Sequence, residues 1–186
     1  AAGVPEEEIV RLCDLAHRFG AKVYVAMNTL LYEQELADAE RIACRMWNAG
    51  ADALIVQDMA FLRMELPPVE LHASTQVCNT DPQRVRFLSE AGFTRVILER
   101  ALSLEEIGRL SRAADVEIET FVHGAICVSY SGRCYMSRTM GPRSGNRGDC
   151  SQSCRLPYDL LDERMRPCEG TLNKSKDKDK YWSVEM

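Results

Sequence analysis

AGADALIVQD at residues 49–58 and AGFTRVILER at residues 91–100 follow one pattern. Each segment passes from the end of a helical stretch through Ala-Gly into a short apolar strand with polar residues at its exit. Apolar strands separated by helices are typical of a parallel sheet that helices cover. The repeat therefore predicts an α/β protein built from αβ units.

Helix and strand patterns alternate with short connections through residue 124. Helices are predicted at residues 6–20, 35–48, 81–92 and 103–114, with a short helical turn at 61–64. Strands are predicted at residues 21–28, 53–58, 71–76, 95–100 and 117–124. The first helix should end at Gly20 and bury a face formed by Ile9, Leu12, Cys13, Ala16 and Phe19. Helix caps are predicted at Asp81, which precedes Pro82, and at Ser103 with Glu106.

These units fit either an open doubly wound sheet or a (β/α) barrel. No Gly-x-Gly-x-x-Gly follows a strand, so a dinucleotide-binding domain has no support. Polar residues at or next to the strand exits favour the barrel, because barrel enzymes assemble their active sites there. These residues are Asn28, Gln57, Gln76, Glu99, Arg100 and His123. The alternative is that strand ends are polar simply because the chain leaves the core.

The predicted fold is a TIM-barrel-like (β/α) parallel sheet that is incomplete. A closed barrel has eight strands, whereas five are visible here, so we expect a fragment that lacks its first strand or two and its last. Three parts are predicted: αβ repeats at residues 1–124, a cysteine-rich basic loop at 125–158, and a C-terminal segment at 159–186 with a charged, disordered tail.

The sequence also predicts a cytoplasmic protein. No apolar run reaches the roughly 18 residues that a membrane span needs, and the first ten residues, AAGVPEEEIV, are acidic where a secretory signal would be basic and then apolar. Disulfides are uncommon in a reducing compartment, so clustered thiols there indicate metal or redox chemistry.

Four of the eight cysteines lie together in the pattern C-x6-C-x15-C-x3-C, at Cys127, Cys134, Cys150 and Cys154. Cys150 and Cys154 have the spacing of a zinc knuckle, but the first pair is too wide for one. An iron–sulfur cluster tolerates wider spacing and prefers thiolates. Cluster, zinc and unliganded thiols, including transient disulfides, all stay open on spacing alone. The other four cysteines, Cys13, Cys44, Cys78 and Cys168, are predicted to be ordinary core residues.

The cysteine-rich loop is also the basic part of a chain whose net charge is -5. Its arginines are Arg133, Arg138, Arg143, Arg147 and Arg155, and the one acidic residue among them is Asp149. Such a segment suits an anionic substrate or a phosphate backbone. Arginines that only keep a loop soluble would give the same pattern.

ETFVHGAICVSYSGRCYMS at residues 119–137 resembles the signature of the collagenase-like peptidase family. The matching residues are Glu119, Phe121, Gly124, Ala125, Cys127, Gly132, Cys134 and Ser137. NRGDCSQSCRLPY at 146–158 resembles the block that follows in the family, and KVYVAMNT, ADALIVQD, HASTQ and SLEEI resemble upstream segments. The resemblance covers about residues 6–165.

This resemblance implies a function other than proteolysis. Family members that act on RNA hydroxylate a pyrimidine, either a wobble uridine of transfer RNA or a cytidine of large-subunit ribosomal RNA, with prephenate and without dioxygen. Related members hydroxylate the ubiquinone ring, and four-cysteine iron–sulfur ligation occurs among them. Carried over, the ligands of a 4Fe–4S cluster would be Cys127, Cys134, Cys150 and Cys154. The family fold is barrel-like, usually with further C-terminal segments.

Within this hypothesis the basic loop meets RNA phosphates while the target base turns into the barrel mouth. Asn28, Gln57 and Gln76 are candidates for substrate binding, and Arg100 and Arg138 are candidates for pairing with the carboxylates of the donor. Glu119 and His123 are candidates for acid and base. The oligomeric state stays open.

Two alternatives remain from the residues themselves. A peptidase with Cys127 as nucleophile and His123 as base is conceivable, although the chain has neither His-Glu-x-x-His nor Gly-x-Ser-x-Gly. A zinc-stabilised RNA-binding module would also account for four thiols and a basic loop.

Overall fold

The computed structural model describes residues 4–156, 158 and 162–166. Five strands form one parallel sheet: β1 (Tyr24–Met27), β2 (Ala53–Val56), β3 (Glu70–Ala73), β4 (Arg95–Ile97) and β5 (Glu117–Glu119). The helices are α1 (Glu6–Arg18), α2 (Leu36–Asn48), α3 (Pro82–Glu90), α4 (Leu104–Ala113) and the short α5 (Met136–Met140). The charged tail lies outside the described residues, as do Cys168 and most of the C-terminal segment predicted at 159–186.

The five strands follow each other across the sheet in the order β1-β2-β3-β4-β5, and every pairing is parallel. The predicted α/β fold with a parallel sheet is confirmed. A doubly wound sheet reverses its strand order at a switch point, whereas barrel strands run sequentially, so this order is the barrel type.

One face of the sheet carries the apolar core. Leu54, Val56, Ala73 and Val96 alternate along their strands and are buried against the helices. The helices contribute matching apolar positions, which include Ala43 of α2, Val85 and Leu88 of α3, and Leu110 of α4. Burial of this face is what positions the strand exits relative to one another.

The opposite face carries the polar side chains Tyr24, Glu70, His72, Arg95, Glu117 and Glu119, interspersed with the apolar Ala53, Ile55 and Ile97. Arg95 donates to Glu117 at 2.5 Å and to Glu119 at 3.0 Å, and its guanidinium lies 5.1 Å from the centre of the Tyr24 ring. The His72 ring is fully buried edge-on to Tyr24, 4.6 Å between centroids. Burial lowers the pKa of His72, so the ring is neutral at neutral pH.

All five predicted strands extend beyond the observed ones, and at the ends of β3 and β4 side chains take over the backbone groups. Ser74 accepts from the Gln76 amide and starts a 3-10 turn at Thr75–Val77, so Gln76 lies in a turn and not on the strand. Asn79 donates to the Ile97 carbonyl at 2.8 Å where β4 ends. β5 ends at Glu119, which places His123 four residues past the strand and exposes it.

The predicted buried face of α1 is wrong in part. Ile9 and Cys13 are buried, whereas Leu12 is 44% and Phe19 is 81% exposed. Both predicted caps are confirmed, because Asp81 accepts from the Arg84 amide and Ser103 exchanges hydrogen bonds with Glu106.

Cys13 and Cys78 are buried and Cys44 is half-buried, as expected of core cysteines. Within the described ranges, no helix is both long and apolar enough to cross a bilayer.

Candidate functional site at the strand exits

The loop after β5 returns across the strand exits and touches them at Gly132. A Cβ built on Gly132 would lie 1.8 Å from the Gln76 carbonyl oxygen and 2.9 Å from the Gln57 side-chain nitrogen. Gly132 also has φ +75°, in the left-handed region that glycine adopts without strain. Only a residue without a side chain can therefore sit here, and Gly132 fixes the cysteine segment (residues 125–158) to the exits.

The neighbouring Ser131 joins two predicted exit residues. Ser131 is buried, with 2% of its surface exposed. Its hydroxyl donates to Glu99 Oε1 at 3.3 Å and accepts from Arg100 Nη2 at 3.0 Å. Glu99 also accepts from the Ala101 amide at 2.5 Å. The guanidinium of Arg100 lies 5.9 Å from the centre of the Phe121 ring. Ser131 thus holds an acidic and a basic side chain in fixed orientations.

Three buried polar atoms at the exits have no partner among the described residues, namely Gln57 Oε1, Asn79 Oδ1 and Arg100 Nε. Asn28 donates to Ser74 Oγ at 3.4 Å, so it also lies beside the turn that carries Gln76. A buried acceptor and a buried donor that lack partners are costly unless a ligand or water completes them. The structure therefore brings the predicted residues Asn28, Gln57, Gln76 and Arg100 to one end of the sheet.

Arg147 fastens the far end of the cysteine segment to the loop after β1. It donates to Glu35 at 2.8 and 2.5 Å and to the Leu30 carbonyl at 2.6 Å, and it stacks 4.2 Å from the Tyr32 ring centre. The hydrogen bonds from Arg147 lower the pKa of Glu35 to about 2. Arg147 therefore binds the segment to the rest of the protein. The sequence had suggested only that it belongs to a loop that suits an anionic partner.

The other arginines of the segment divide into engaged and exposed side chains. Arg143 pairs with Asp149 at 2.8 Å, and Arg155 donates to the Ile126 carbonyl at 3.3 Å. Arg133 and Arg138 are exposed, and Arg138 makes one weak contact with the Pro142 carbonyl at 3.5 Å. Two of the five predicted cationic side chains are thus free to meet a partner.

The two candidates for acid and base are not brought together by any bond in the described part of the chain. Glu119 is held in the polar sheet face by Arg95, at 3.0 Å. His123 is exposed and forms no hydrogen bond or ion pair with a described residue. Their roles stay predictions, and the geometry adds no support for a His123–Cys127 pair.

The four cysteines of the segment are free thiols, two half-buried and two exposed. Cys150 Sγ accepts from the Gln152 amide at 3.3 Å and from the Ser137 hydroxyl at 3.8 Å. Four thiols in one loop are the right donors for a cluster or for zinc. However, in residues 4–156, 158 and 162–166 no three or more His, Cys, Asp or Glu side chains are arranged to hold a metal ion. The donor chemistry fits, but the geometry described does not.

Sequence reasoning missed Ser131, Glu35 and the polar sheet face. Ser131 directly precedes Gly132 of the family signature, which was the available signal. The partnership of Glu35 with Arg147 joins residues that are 112 positions apart, so no local pattern could reveal it.

A five-stranded parallel sheet with helices, whose exits are crossed by the cysteine segment, defines an α/β protein. The chain belongs to peptidase family U32, whose model matches residues 1–185. This confirms the family predicted from the 119–137 signature. A solved structure of the U32 peptidase Mk0906 has a TM-score of 0.53 and 19% identity, and covers 66% of this chain and 53% of that one. The structural likeness supports the fold.

Three relatives of known name differ in activity. A 23S rRNA 5-hydroxycytidine synthase of Escherichia coli (strain K12) is 49% identical over 160 residues, 86% of this chain and 24% of that protein. The tRNA hydroxylation protein P1 of Bacillus subtilis (strain 168) is 40% identical over 157 residues, 83% of this chain and 37% of that protein. A collagenase of Porphyromonas gingivalis (strain ATCC BAA-308 / W83) is 29% identical over 169 residues, 84% of this chain and 41% of that protein. The chain thus spans less than half the length of each.

Proposed function

We propose that this chain is the barrel portion of an enzyme that hydroxylates a pyrimidine base of RNA, with prephenate as co-substrate and without dioxygen. The observation that carries the proposal is the 49% identity to the 23S rRNA 5-hydroxycytidine synthase over most of this chain. Identity to the tRNA hydroxylation protein P1 is lower, at 40%, so ribosomal RNA is the first substrate to test. The reaction belongs in the cytoplasm, where the RNA is.

The exit residues supply a site of suitable chemistry for such a reaction. Amide groups of Gln57 and Asn28 can hydrogen-bond the edge of a flipped pyrimidine, which offers both donors and acceptors. We assign Arg100, which Ser131 orients, to a carboxylate of the donor, because a guanidinium binds a carboxylate through paired hydrogen bonds. Arg138 is exposed and suits the donor or a phosphate.

We further propose that Cys127, Cys134, Cys150 and Cys154 hold a 4Fe–4S cluster, because four thiols in one segment are the donors that such a cluster prefers. A bound cluster would supply electron transfer to the reaction. No step is assigned to it, because the described geometry does not assemble the ligands. Zinc in the same four thiols is the alternative, and it would favour an RNA-binding module.

The cluster is tested by iron, acid-labile sulfide and zinc per chain on protein purified without oxygen. Cys134→Ser should remove iron and sulfide together, whereas Cys44→Ser, a half-buried cysteine outside the segment, should leave both unchanged. Full iron content in Cys134→Ser would overturn the ligand set. One zinc per chain without sulfide would instead support a zinc-stabilised RNA-binding module.

The activity is tested by incubating the protein with unmodified 23S rRNA and prephenate under exclusion of dioxygen, followed by mass spectrometry of the nucleosides. We expect a cytidine that gains the mass of one oxygen atom, only when prephenate is present. A hydroxylated uridine in transfer RNA would identify transfer RNA as the substrate and would still support pyrimidine hydroxylation. Hydroxylated ubiquinone without any RNA product, or cleavage of collagen, would refute the proposal.

A further inference from the structure

The part of the cysteine segment that crosses the strand exits contains the same short motif twice. Tyr130-Ser131-Gly132-Arg133 and Tyr135-Met136-Ser137-Arg138 both read Tyr-x-x-Arg, and Cys134 separates them. These tyrosines and arginines lie at positions that the family signature quoted above leaves unspecified.

Both motifs have exposed end residues and one buried serine, which is the second residue of the first motif and the third residue of the second. The inner residues point into the protein, since Ser131 and Ser137 are both 2% exposed. The outer residues face solvent, with Tyr130 at 70% and Tyr135 at 67% exposed, and Arg133 and Arg138 exposed as well. Buried serines thus anchor both motifs while each presents one aromatic ring and one cation outward.

Backbone geometry places the tyrosine and arginine of each motif side by side. The Arg133 amide donates to the Tyr130 carbonyl at 3.1 Å, which closes a tight turn. The Thr139 amide donates to the Tyr135 carbonyl at 2.9 Å, so Tyr135 starts the helical turn that includes Arg138. Residues three apart on a helical turn are neighbours. Each motif therefore presents an exposed tyrosine and an exposed arginine within one turn of backbone.

The electrostatics of the surface favour an anionic partner. Asp149 is the one acidic residue between positions 120 and 158, and it is neutralised by Arg143 at 2.8 Å. Arg133 and Arg138 form no ion pair with any residue that the structure describes. Exposed aromatic rings that alternate with unneutralised arginines are the recognition elements for single-stranded nucleic acid, where rings stack on bases and cations meet phosphates.

We infer that the two Tyr-x-x-Arg motifs form a platform for two successive nucleotides of single-stranded RNA, beside the strand-exit site. Each tyrosine stacks on one base and each arginine contacts one phosphate. The inference rests on the proposed function for its substrate class, and it adds which residues hold the strand next to the reacting base. A double-stranded RNA would bind less well, because its bases are already stacked on each other.

The test is the affinity of the protein for a fluorescein-labelled, unstructured RNA 12-mer, measured by anisotropy over a series of salt concentrations. Tyr130→Ala and Tyr135→Ala should each weaken binding by about 5- to 150-fold with little change in salt dependence. Arg133→Gln with Arg138→Gln should instead lower the slope of log affinity against log salt by about 1.4, since each phosphate contact on a single strand contributes roughly 0.7.

Matched controls separate stacking from general effects. Arg86→Gln with Phe87→Ala removes an exposed arginine and a 59%-exposed aromatic ring from α3, and it should leave affinity and slope unchanged. Tyr→Phe at both motifs should retain binding, and Tyr→Leu should lose it, because leucine is apolar but cannot stack. Thermal unfolding of each variant should match the parent, since these side chains are exposed.

Three outcomes would overturn the inference: unchanged RNA affinity in the tyrosine variants, full affinity in Tyr→Leu, or a loss no larger than in the α3 control. A lower unfolding temperature with unchanged RNA affinity would assign these side chains to stabilising the fold instead. Binding is measured without prephenate or turnover, so protein that binds RNA through the platform but hydroxylates nothing would refute the proposed function alone.

Discussion

Gly132 is the residue on which the seating of the cysteine segment depends. Its α-carbon faces the Gln76 carbonyl so closely that a Cβ would lie 1.8 Å from that oxygen. Because the obstacle is backbone, it cannot move aside as a flexible side chain would. The cysteine segment can therefore lie against the strand exits only if position 132 has no side chain. The buried position of the neighbouring Ser131 depends on the same contact.

Gly132→Ala is expected to lower the free energy of unfolding by about 1–3 kcal/mol from backbone strain alone, and to detach the segment from the strand exits. Urea denaturation measures the first effect and amide hydrogen exchange at residues 130–134 the second. Gly141→Ala is the control, because Gly141 has φ 178° and nothing lies within 4 Å of its built Cβ. Equal stability of the two variants would show that Gly132 does not seat the segment.

The cysteine segment is also held to the loop after β1, by the Arg147–Glu35 ion pair and by a hydrogen bond from the Leu30 amide to the Asn146 carbonyl at 3.1 Å. Arg147 reaches Glu35 with two hydrogen bonds, and these lower the pKa of Glu35 to about 2. A carboxyl group whose pKa is lower in the folded state stabilises folding above its unfolded pKa, near 4.5. That contribution is lost as the pH falls from this value through about 2.

Glu35→Gln should therefore lower the denaturation midpoint at pH 7, and the difference from the parent should shrink as the pH falls from 4.5 towards 2. Glu33→Gln, an exposed neighbour in the same turn, should show no such difference. A gap between parent and Glu35→Gln that stays constant down to pH 2 would rule out the ion pair as its cause.

Several elements could be predicted from the sequence because their causes are local. The αβ repeat, the parallel sheet and the caps at Asp81 and Ser103 follow from periodicity and spacing, and all are confirmed. The ends of β3 and β4 could not be predicted, because Ser74 and Asn79 replace ladder bonds by side-chain contacts. The residues at the strand exits could be predicted from the sequence. Their hydrogen bonds to Ser131 could not, because they depend on how the loop after β5 folds back over the exits.

At the scale of the whole molecule, one sheet face is apolar and helix-covered while the other is held by charges. Arg95 lies between Glu117 and Glu119, with its side chain 23% exposed, and it also contacts Tyr24. In a closed barrel this face would be the interior. Arg95 is therefore the centre of the charged side chains on this face.

Arg95→Gln should lower the denaturation midpoint more than Arg109→Gln does, because Arg95 is only 23% exposed and its loss leaves Glu117 and Glu119 facing each other without their shared cation. Arg109→Gln should cost well under 1 kcal/mol, since Arg109 is 64% exposed and its contact with Glu106 is 4.0 Å long. Urea denaturation of both variants measures the two changes in stability. An equal effect would mean that Arg95 is an ordinary surface cation.

The central claim is that this chain serves the hydroxylation of a pyrimidine in RNA. The most direct measurement is the 5-hydroxycytidine content of 23S rRNA, by nucleoside mass spectrometry, in Escherichia coli cells that lack their own synthase and express this protein. We predict that 5-hydroxycytidine is restored in 23S rRNA when the cells express the parent protein, and that it is not restored when they express Cys134→Ser. Its absence from the RNA of cells that accumulate folded, iron-loaded parent protein, with transfer RNA also unmodified by it, would contradict the claim.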